Sequence, residues 1–294
     1  MVQAAGHGCA EQANGLFIKP TNSTEINFYT SMSALDSPLT DLMPNFLGTL
    51  AETKTNSNES NSTNTSLSTP VLDSSLSEQS CIVLEDLCEA FEDPAVLDIK
   101  IGSVLYDSHA SEGKKQRMDK VSQATTSGSL HFRIAGMSLI IGGNRIHYGK
   151  DFGREATIEN VASRISEFFK PLTSEYKEYI LELSIGYLQQ LEKILNEVKI
   201  EMHSSSVLFI YENNMEKLKS KFEHINSTGN ESMKYDMNLQ LKNKVQIMDM
   251  RIIDFAHSQC AETIDNDCLV GVRNVISAFE SISSGTRPRY EINK

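Results

Sequence analysis

The chain has no CxxC pair. Its five cysteines, Cys9, Cys81, Cys88, Cys260 and Cys268, are scattered and odd in number, with no histidine at metal-type spacing. This argues against a zinc site and leaves reduced thiols in an intracellular protein as the expectation. No apolar run is long enough to span a bilayer, and the opening MVQAAGHGCAEQ has neither a basic start nor a hydrophobic stretch. Neither a membrane span nor a secretory leader is therefore expected. Triplets such as Asn61-Ser62-Thr63 then read as by-products of composition and not as glycan acceptors. Basic charge is also scarce: 39 acidic residues against 27 basic ones give a net charge of −12. That balance speaks against direct nucleic-acid binding.

At 294 residues the chain can bury a substantial core in one large domain or two lobes without covalent staples. GLFIKP and NFLGTL near the start read as strands of a small antiparallel sheet, with STEINFYTSMSAL as a short helix over it. Residues 51–80 are rich in Ser, Thr and Asn and show no sustained period, which predicts a disordered insertion or long loop. CIVLEDL then resumes as a buried strand that ends abruptly on two acids, as a hinge between lobes would.

Further on, Tyr176, Ile180, Leu183, Tyr187, Leu191, Ile194 and Val198 alternate at steps of three and four. They predict a long amphipathic helix. LVGVRNVISAFESI predicts a second helix, and residues 213–246 read as a polar surface excursion. SSSVLFIYE and MRIIDFAHS read as strands, with Asp254 at the end of the latter, where a rigid strand aims a carboxylate at a cleft. Taken singly, such an aspartate more often caps a turn, and a lone histidine such as His257 is more often structural.

PAVLDIKIG, residues 94–102, places Asp98 and Lys100 on one strand face and Leu97, Ile99 and Ile101 on the other. Alternation alone favours a half-buried strand with a solvated Asp–Lys pair; the sharper reading is a catalytic strand facing a phosphorylated ligand. GKKQRMDK, residues 113–120, carries Lys114, Lys115, Arg117 and Lys120, and alone reads as a solvated helix face.

Together these blocks resemble the inositol polyphosphate kinase family, most of all its fungal multikinase branch. The shared signature is Pro-x-x-x-Asp-x-Lys-x-Gly, here Pro94, Asp98, Lys100 and Gly102, followed in order by SSSVLFIYE and IIDFAHS. AAGH, EINFY, LYDSHAS, TTSGSLHFRIAGM and HYG extend the likeness over nearly every ordered part of the chain. The Tyr-Asp pair and alanine after the signature lysine look like the multikinase form, whereas Asp-Phe-Ala-His is shared with hexakisphosphate kinases.

The resemblance implies a two-lobed, protein-kinase-like α+β fold. It comprises an N-lobe over residues 1–87 and a helix-rich C-lobe over 88–294, with an inositol phosphate-binding segment at about 106–130. It further implies ATP and Mg²⁺ as cofactors, an inositol polyphosphate substrate, nuclear and cytoplasmic residence, and a transcription-factor complex as partner.

Residue by residue, Lys19 resembles the lysine on the ATP phosphates and Glu25 its helix partner. Glu85, Asp86 and Leu87 resemble the hinge holding adenine, with Ile18 and Ile253 packing on it. Asp98 resembles the ribose-binding, catalytically required aspartate, and Lys100 the lysine between γ-phosphate and substrate. Asp254 and Ser206 resemble the metal-holding pair. His257 resembles the residue approaching the inositol hydroxyl, and Lys114 and Arg117 those gripping substrate phosphates.

Thr21 stands where many animal multikinases carry a substrate arginine, so the resemblance implies that this contact is absent or is supplied by Arg145, Lys150 or Arg154. The expected reaction is phosphorylation of inositol 1,4,5-trisphosphate at the 3- and 6-hydroxyls, giving tetrakis- and pentakisphosphate. Hexakisphosphate kinase activity and a non-catalytic nuclear scaffold are the alternatives.

Overall fold

The computed structural model describes residues 11–51, 67–68, 80–229, 240, 243 and 245–292. The strands of the first sheet are β1 (Glu11–Ala13), β2 (Leu16–Thr21), β3 (Phe46–Ala51), β4 (Leu67–Ser68) and β5 (Ser80–Glu85), in the spatial order β1-β2-β5-β3-β4. Its opening hairpin turns on Asn14 and Gly15, both at positive φ (53° and 76°), the two-residue chemistry that matches strand twist. α1 (Ser23–Ala34) follows β2 directly, capped by the Asn22 side chain, which accepts from the Glu25 N–H.

The second sheet contains β6 (Pro94–Ile101), β7 (Phe132–Ile141), β8 (Asn144–Tyr148), β10 (Ser206–Glu212) and β11 (Met248–Ile253), in the order β11-β10-β6-β7-β8. Around it lie α2 (Glu112–Gln123), α3 (Thr126–Leu130), α4 (Lys150–Arg154), α5 (Val161–Ser166), α6 (Ser174–Leu195), α7 (Met215–Ser227) and α8 (Asn266–Ser284). A two-stranded ribbon pairs β9 (Ile200–Met202) with β12 (Ser258–Cys260). One continuous apolar core runs from Phe28, Tyr29 and Leu84 through Leu97 and Phe209 to Phe279. The result is a two-lobed α+β architecture.

β6 is central, hydrogen-bonded to β10 on one side and β7 on the other, and residues 94–99 are buried on both faces. Asp98 is only 4% exposed, so the half-solvated Asp–Lys strand is not what forms. Leu97, Ile99 and Ile101 are fully buried. Each is worth roughly 1.5–3 kcal/mol to the fold.

One further expectation needs correction. Within 213–246, Met215–Ser227 is not an irregular excursion but a helix, capped by Asn214, with Leu218 and Ile225 buried and Phe222 packed on the core, while 230–239, 241–242 and 244 lie outside the described residues. Its many Lys and Glu residues mask an i, i+4, i+7 apolar stripe. Within 51–80, Leu67–Ser68 add an edge strand beside Thr49 and Leu50, while 52–66 and 69–79 lie outside the described residues. The long helix ends at Leu195, before Val198. Among the described residues Cys88, Cys260 and Cys268 are free thiols, and no helix is long and apolar enough to cross a membrane.

Candidate active site

Lys19 sits near the end of β2, and the chain then turns straight into α1, which brings Glu25 back beside it. Glu25 is buried, with Oε1 2.8 Å from Lys19 Nζ and Oε2 accepting from Thr21 Oγ1 at 2.5 Å. Glu25 Oε1 also accepts from the Phe255 N–H at 3.1 Å. One carboxylate thus fastens the lysine of the first sheet to the turn that leaves the second.

That turn begins at Asp254, directly after β11, with φ at +67°. A non-glycine residue held there costs on the order of 1–3 kcal/mol and persists only when its surroundings fix it. Here Phe255 does the fixing, stacked on Phe28 at 4.7 Å and edge-on to Tyr29 at 5.3 Å. The Asp254 carboxylate stands between two ammonium groups, with Oδ1 3.0 Å from Lys19 Nζ and Oδ2 3.6 Å from Lys100 Nζ. Burial alone would raise its pKa; the two lysines outweigh it and hold the carboxyl down at about 2. Lys19 is raised, its own burial penalty being exceeded by Asp254 and Glu25.

On β6, register places Lys100 opposite Ser206 of β10 and Arg133 of β7. Lys100 Nζ donates to Ser204 O at 2.8 Å and to Ser206 Oγ at 3.1 Å. Asp98, two residues earlier on the same face, is raised mainly by burial; Lys100, a Ser206 hydrogen bond and Arg133 pull the other way. Its Oδ1 is buried without a hydrogen-bond partner. Gly136 lies opposite Asp98 and contributes no side chain there.

Beyond Gly102 the chain is tied down by Asp267 in the first turn of α8. Asp267 accepts from Ser103 N and Ser103 Oγ, both at 2.6 Å, and from Val104 N at 3.1 Å, and it contacts His131 Nδ1 at 2.5 Å. Burial notwithstanding, these partners bring its pKa to about 2. The anchored segment leads to Asp107, which pairs with His257 Nδ1. Burial acts to raise Asp107, but His257, the His109 N–H and Lys114 together leave it lowered.

Lys114 is therefore brought next to the His257 pair, while Arg117 is exposed one turn along the same helix. Asp107, Ser108, His109, His203 and His257 line a cavity of ≈160 Å³ that Asn22 and Thr24 close from the first sheet's side.

At the 85–87 segment the acidic side chains are already engaged. Glu85 accepts from Asn45 N and Nδ2 at 3.0 and 2.8 Å, and Asp86 accepts from Gln12 Nε2 and Cys88 N at 3.0 and 2.9 Å. This leaves main-chain groups and the half-buried Leu87 as what the segment presents to a ligand. Ile18 and Ile253 are likewise half-buried.

The structure therefore brings Lys19, Glu25, Asp98, Lys100, Ser206 and Asp254 into one constellation, and His257 and Lys114 into a second beside it. The Arg145 guanidinium donates through Nη1 to Pro94 O at 3.0 Å and Ser138 Oγ at 3.2 Å, bracing the sheet. Arg154 is exposed and contacts Asp151. Sequence reasoning missed Arg133, Asp107 and the Asp267–His131 pair. Asp107 lies in the recognised LYDSHAS block, and Arg133 follows the Leu-His-Phe stretch of another.

Among the described residues no three His, Cys, Asp or Glu side chains form a metal cage. The ionised Asp254, the orphaned Asp98 Oδ1 and the Ser206 hydroxyl are hard oxygen donors in small number. That set fits a magnesium-like ion, which keeps waters and takes its remaining ligands from phosphates.

The family model for inositol polyphosphate kinases matches residues 81–280. The inositol polyphosphate multikinase of Schizosaccharomyces pombe is 31% identical over 285 residues, covering 94% of each chain. That of Saccharomyces cerevisiae is 34% identical over 261 residues, covering 73% of this chain and 72% of its own. The crystal structure of the S. cerevisiae inositol phosphate multikinase in complex with ADP and Mn²⁺ superposes with a TM-score of 0.70 at 30% identity, covering 91% of this chain and 99% of that one. The chain belongs to the inositol polyphosphate kinase family and is an ATP-dependent kinase with that family's two-lobed α+β fold.

Proposed function

We propose that the chain is an inositol polyphosphate multikinase. It transfers the γ-phosphate of ATP to the 3- and 6-hydroxyls of inositol 1,4,5-trisphosphate, giving tetrakis- and then pentakisphosphate. The observation that carries this reading is the bracket of Lys19 and Lys100 around Asp254, with buried Asp98 beside it, three residues before the His257 that enters the neighbouring cavity.

Phosphoryl transfer asks the protein for positioning and charge stabilisation more than for covalent chemistry. Lys19, fixed by Glu25, binds the nucleotide phosphates. Main-chain groups of residues 85–87 hold adenine between Ile18 and Ile253. Asp98 binds the ribose side and Lys100 neutralises the transferring phosphoryl. Asp254 and Ser206 would hold Mg²⁺, with the unpartnered Asp98 Oδ1 as a further oxygen donor. The bound ion supplies further neutralisation of the phosphate oxygens. Lys114 and Arg117 grip substrate phosphates, and His257, oriented by Asp107, meets the accepting hydroxyl.

Two relatives that match over most of the chain are named inositol polyphosphate multikinases, which supports the multikinase reading. The test is parallel incubation of the purified chain with Mg·ATP and either inositol 1,4,5-trisphosphate or inositol hexakisphosphate, resolving products by phosphate number and position. Conversion of the trisphosphate to pentakisphosphate is expected. A single modified hydroxyl would restrict the reading to a monofunctional kinase, and turnover of the hexakisphosphate alone would replace it with diphosphate synthesis.

A further inference from the structure

The segment that follows residues 85–87 is fastened at its far end by a carboxylate that none of the roles above uses. Glu212 closes β10, at the opposite end of that strand from Ser206, and is fully buried. Its Oε2 accepts from the Glu92 N–H at 3.0 Å and from Lys221 Nζ at 2.9 Å. Its Oε1 accepts from the Asp93 and Asn214 N–H groups, each at 3.1 Å. Isolated, a buried carboxylate is costly; these charge-assisted bonds compensate it. Burial acts to raise its pKa, but the Glu92 N–H, Lys221 and the Asp93 N–H leave it lowered.

Lys221 reaches in from α7 and grips the same segment at a second point. Besides Glu212 it meets Ala90 O, to which it donates at 3.0 Å, and its ammonium lies 5.2 Å from the centre of the Phe91 ring. Phe91 packs with Val96 of β6 and Ile210 of β10, and Leu87 and Cys88 lie against the same cluster. Between Phe91 and residue 86 the chain forms two successive turns, closed by Phe91 N–H to Cys88 O and by Glu89 N–H to Asp86 O, both at 3.1 Å. A continuous run of contacts thus leads from Glu212 and Lys221 to the 85–87 main chain, while Asn45 and Gln12 hold Glu85 and Asp86 from the first sheet.

Main-chain groups can read a base only if their donors and acceptors stay in place. A site whose polar groups pair with one ligand rejects another that leaves them unpaired, and that discrimination weakens when the groups can shift. We propose that Glu212 and Lys221 are positioning residues for nucleotide selection, which hold the 85–87 main chain in the geometry that favours adenine over guanine. Neither touches the base or the reacting atoms; both act through residues 88–93. The inference rests on the reading above in which residues 85–87 hold adenine.

The experiment measures binding of Mg·ADP and Mg·GDP by calorimetry to the wild type, Glu212→Gln, Lys221→Met and Lys221→Arg, with thermal unfolding of each in parallel. Glutamine turns an amide donor toward groups that are themselves donors; methionine keeps the apolar stem but removes the ammonium. In both, ADP affinity should fall about 5–10-fold, the equivalent of one hydrogen bond lost at the base, while GDP affinity moves less than about twofold. Lys221→Arg, which keeps the charge, should stay near wild type. A pair that only stabilised the fold would lower the unfolding temperature and leave the ADP-to-GDP ratio alone. If Glu212→Gln does not fold, the two Lys221 variants decide. A wild-type ratio retained in the variants would overturn the proposal and leave the hinge reading standing. Equal binding of ADP and GDP by the wild type would sink the hinge reading, and the proposal with it.

Discussion

Lys19 Nζ and Asp254 Oδ1 lie 3.0 Å apart although 235 residues separate them in the chain. The contact joins the last strand of the second sheet to an inner strand of the first, and Glu25 completes it from α1. The pair is held from both sides before any ligand arrives, so a nucleotide meets lysines already placed in the cleft.

Glu25→Gln separates charge from shape. The amide keeps an acceptor for the Phe255 N–H, so the turn survives, but the 2.8 Å ion pair to Lys19 is lost. Removing one partner of a buried pair leaves an under-compensated charge and costs about 3 kcal/mol. Denaturant unfolding should show that loss, and the KM for ATP should rise several-fold with the fold retained. An unchanged KM for ATP would mean that Glu25 does not set the position of Lys19.

Asp267 supplies the pH prediction. Its folded pKa, about 2, lies below the unfolded value. A depressed carboxylate contributes stability that is complete above the unfolded pKa of about 3.9 and lost as pH falls through the folded one. Since the group is partly exposed, Asp267→Asn should cost on the order of 1–2 kcal/mol at pH 7. The gap to wild type should close between pH 4 and 2, and a gap independent of pH would contradict the assignment.

Gly271 faces the same junction. A Cβ there would lie 2.3 Å from the His131 carbonyl oxygen, the atom that accepts from Gly102 N–H at 2.7 Å. Gly271→Ala must push α8 away from the end of β6, at a cost of roughly 1–3 kcal/mol. The thermal midpoint should fall by several degrees; no fall would mean that the junction yields freely.

Asp107→Asn tests the His257 pair. An amide keeps the shape but removes the charge that orients the ring, so kcat with inositol trisphosphate should drop about 10–100-fold, as when the hydrogen-bond partner that orients a metal-bound histidine is removed. The KM for ATP should change little. A kcat within twofold of wild type would leave His257 without need of its partner.

What could be read in advance follows from distance along the chain. The strands and the long α6 were legible because burial imposes periods of two and 3.6 on Leu97, Ile99 and Ile101 or on Ile180, Leu183 and Leu191. α7 was not, because nine polar or charged residues surround the stripe of Leu218, Phe222 and Ile225, although Asn214 before it is a good cap. The Asp267–His131 contact spans 136 residues and has no local signature at either end. Asp98 and Lys100 were recognisable as a motif, but only the central place of β6 explains why Asp98 is buried.

The most direct measurement is single-turnover transfer from Mg·ATP to inositol 1,4,5-trisphosphate, with enzyme in excess, comparing wild type with Lys100→Met. The chemical step should slow about 10²–10³-fold, as when one electrostatic stabiliser of a transition state is removed. ATP affinity measured by calorimetry should stay within a few-fold. Transfer at the wild-type rate in the variant would contradict the assignment of Lys100 to the moving phosphoryl group.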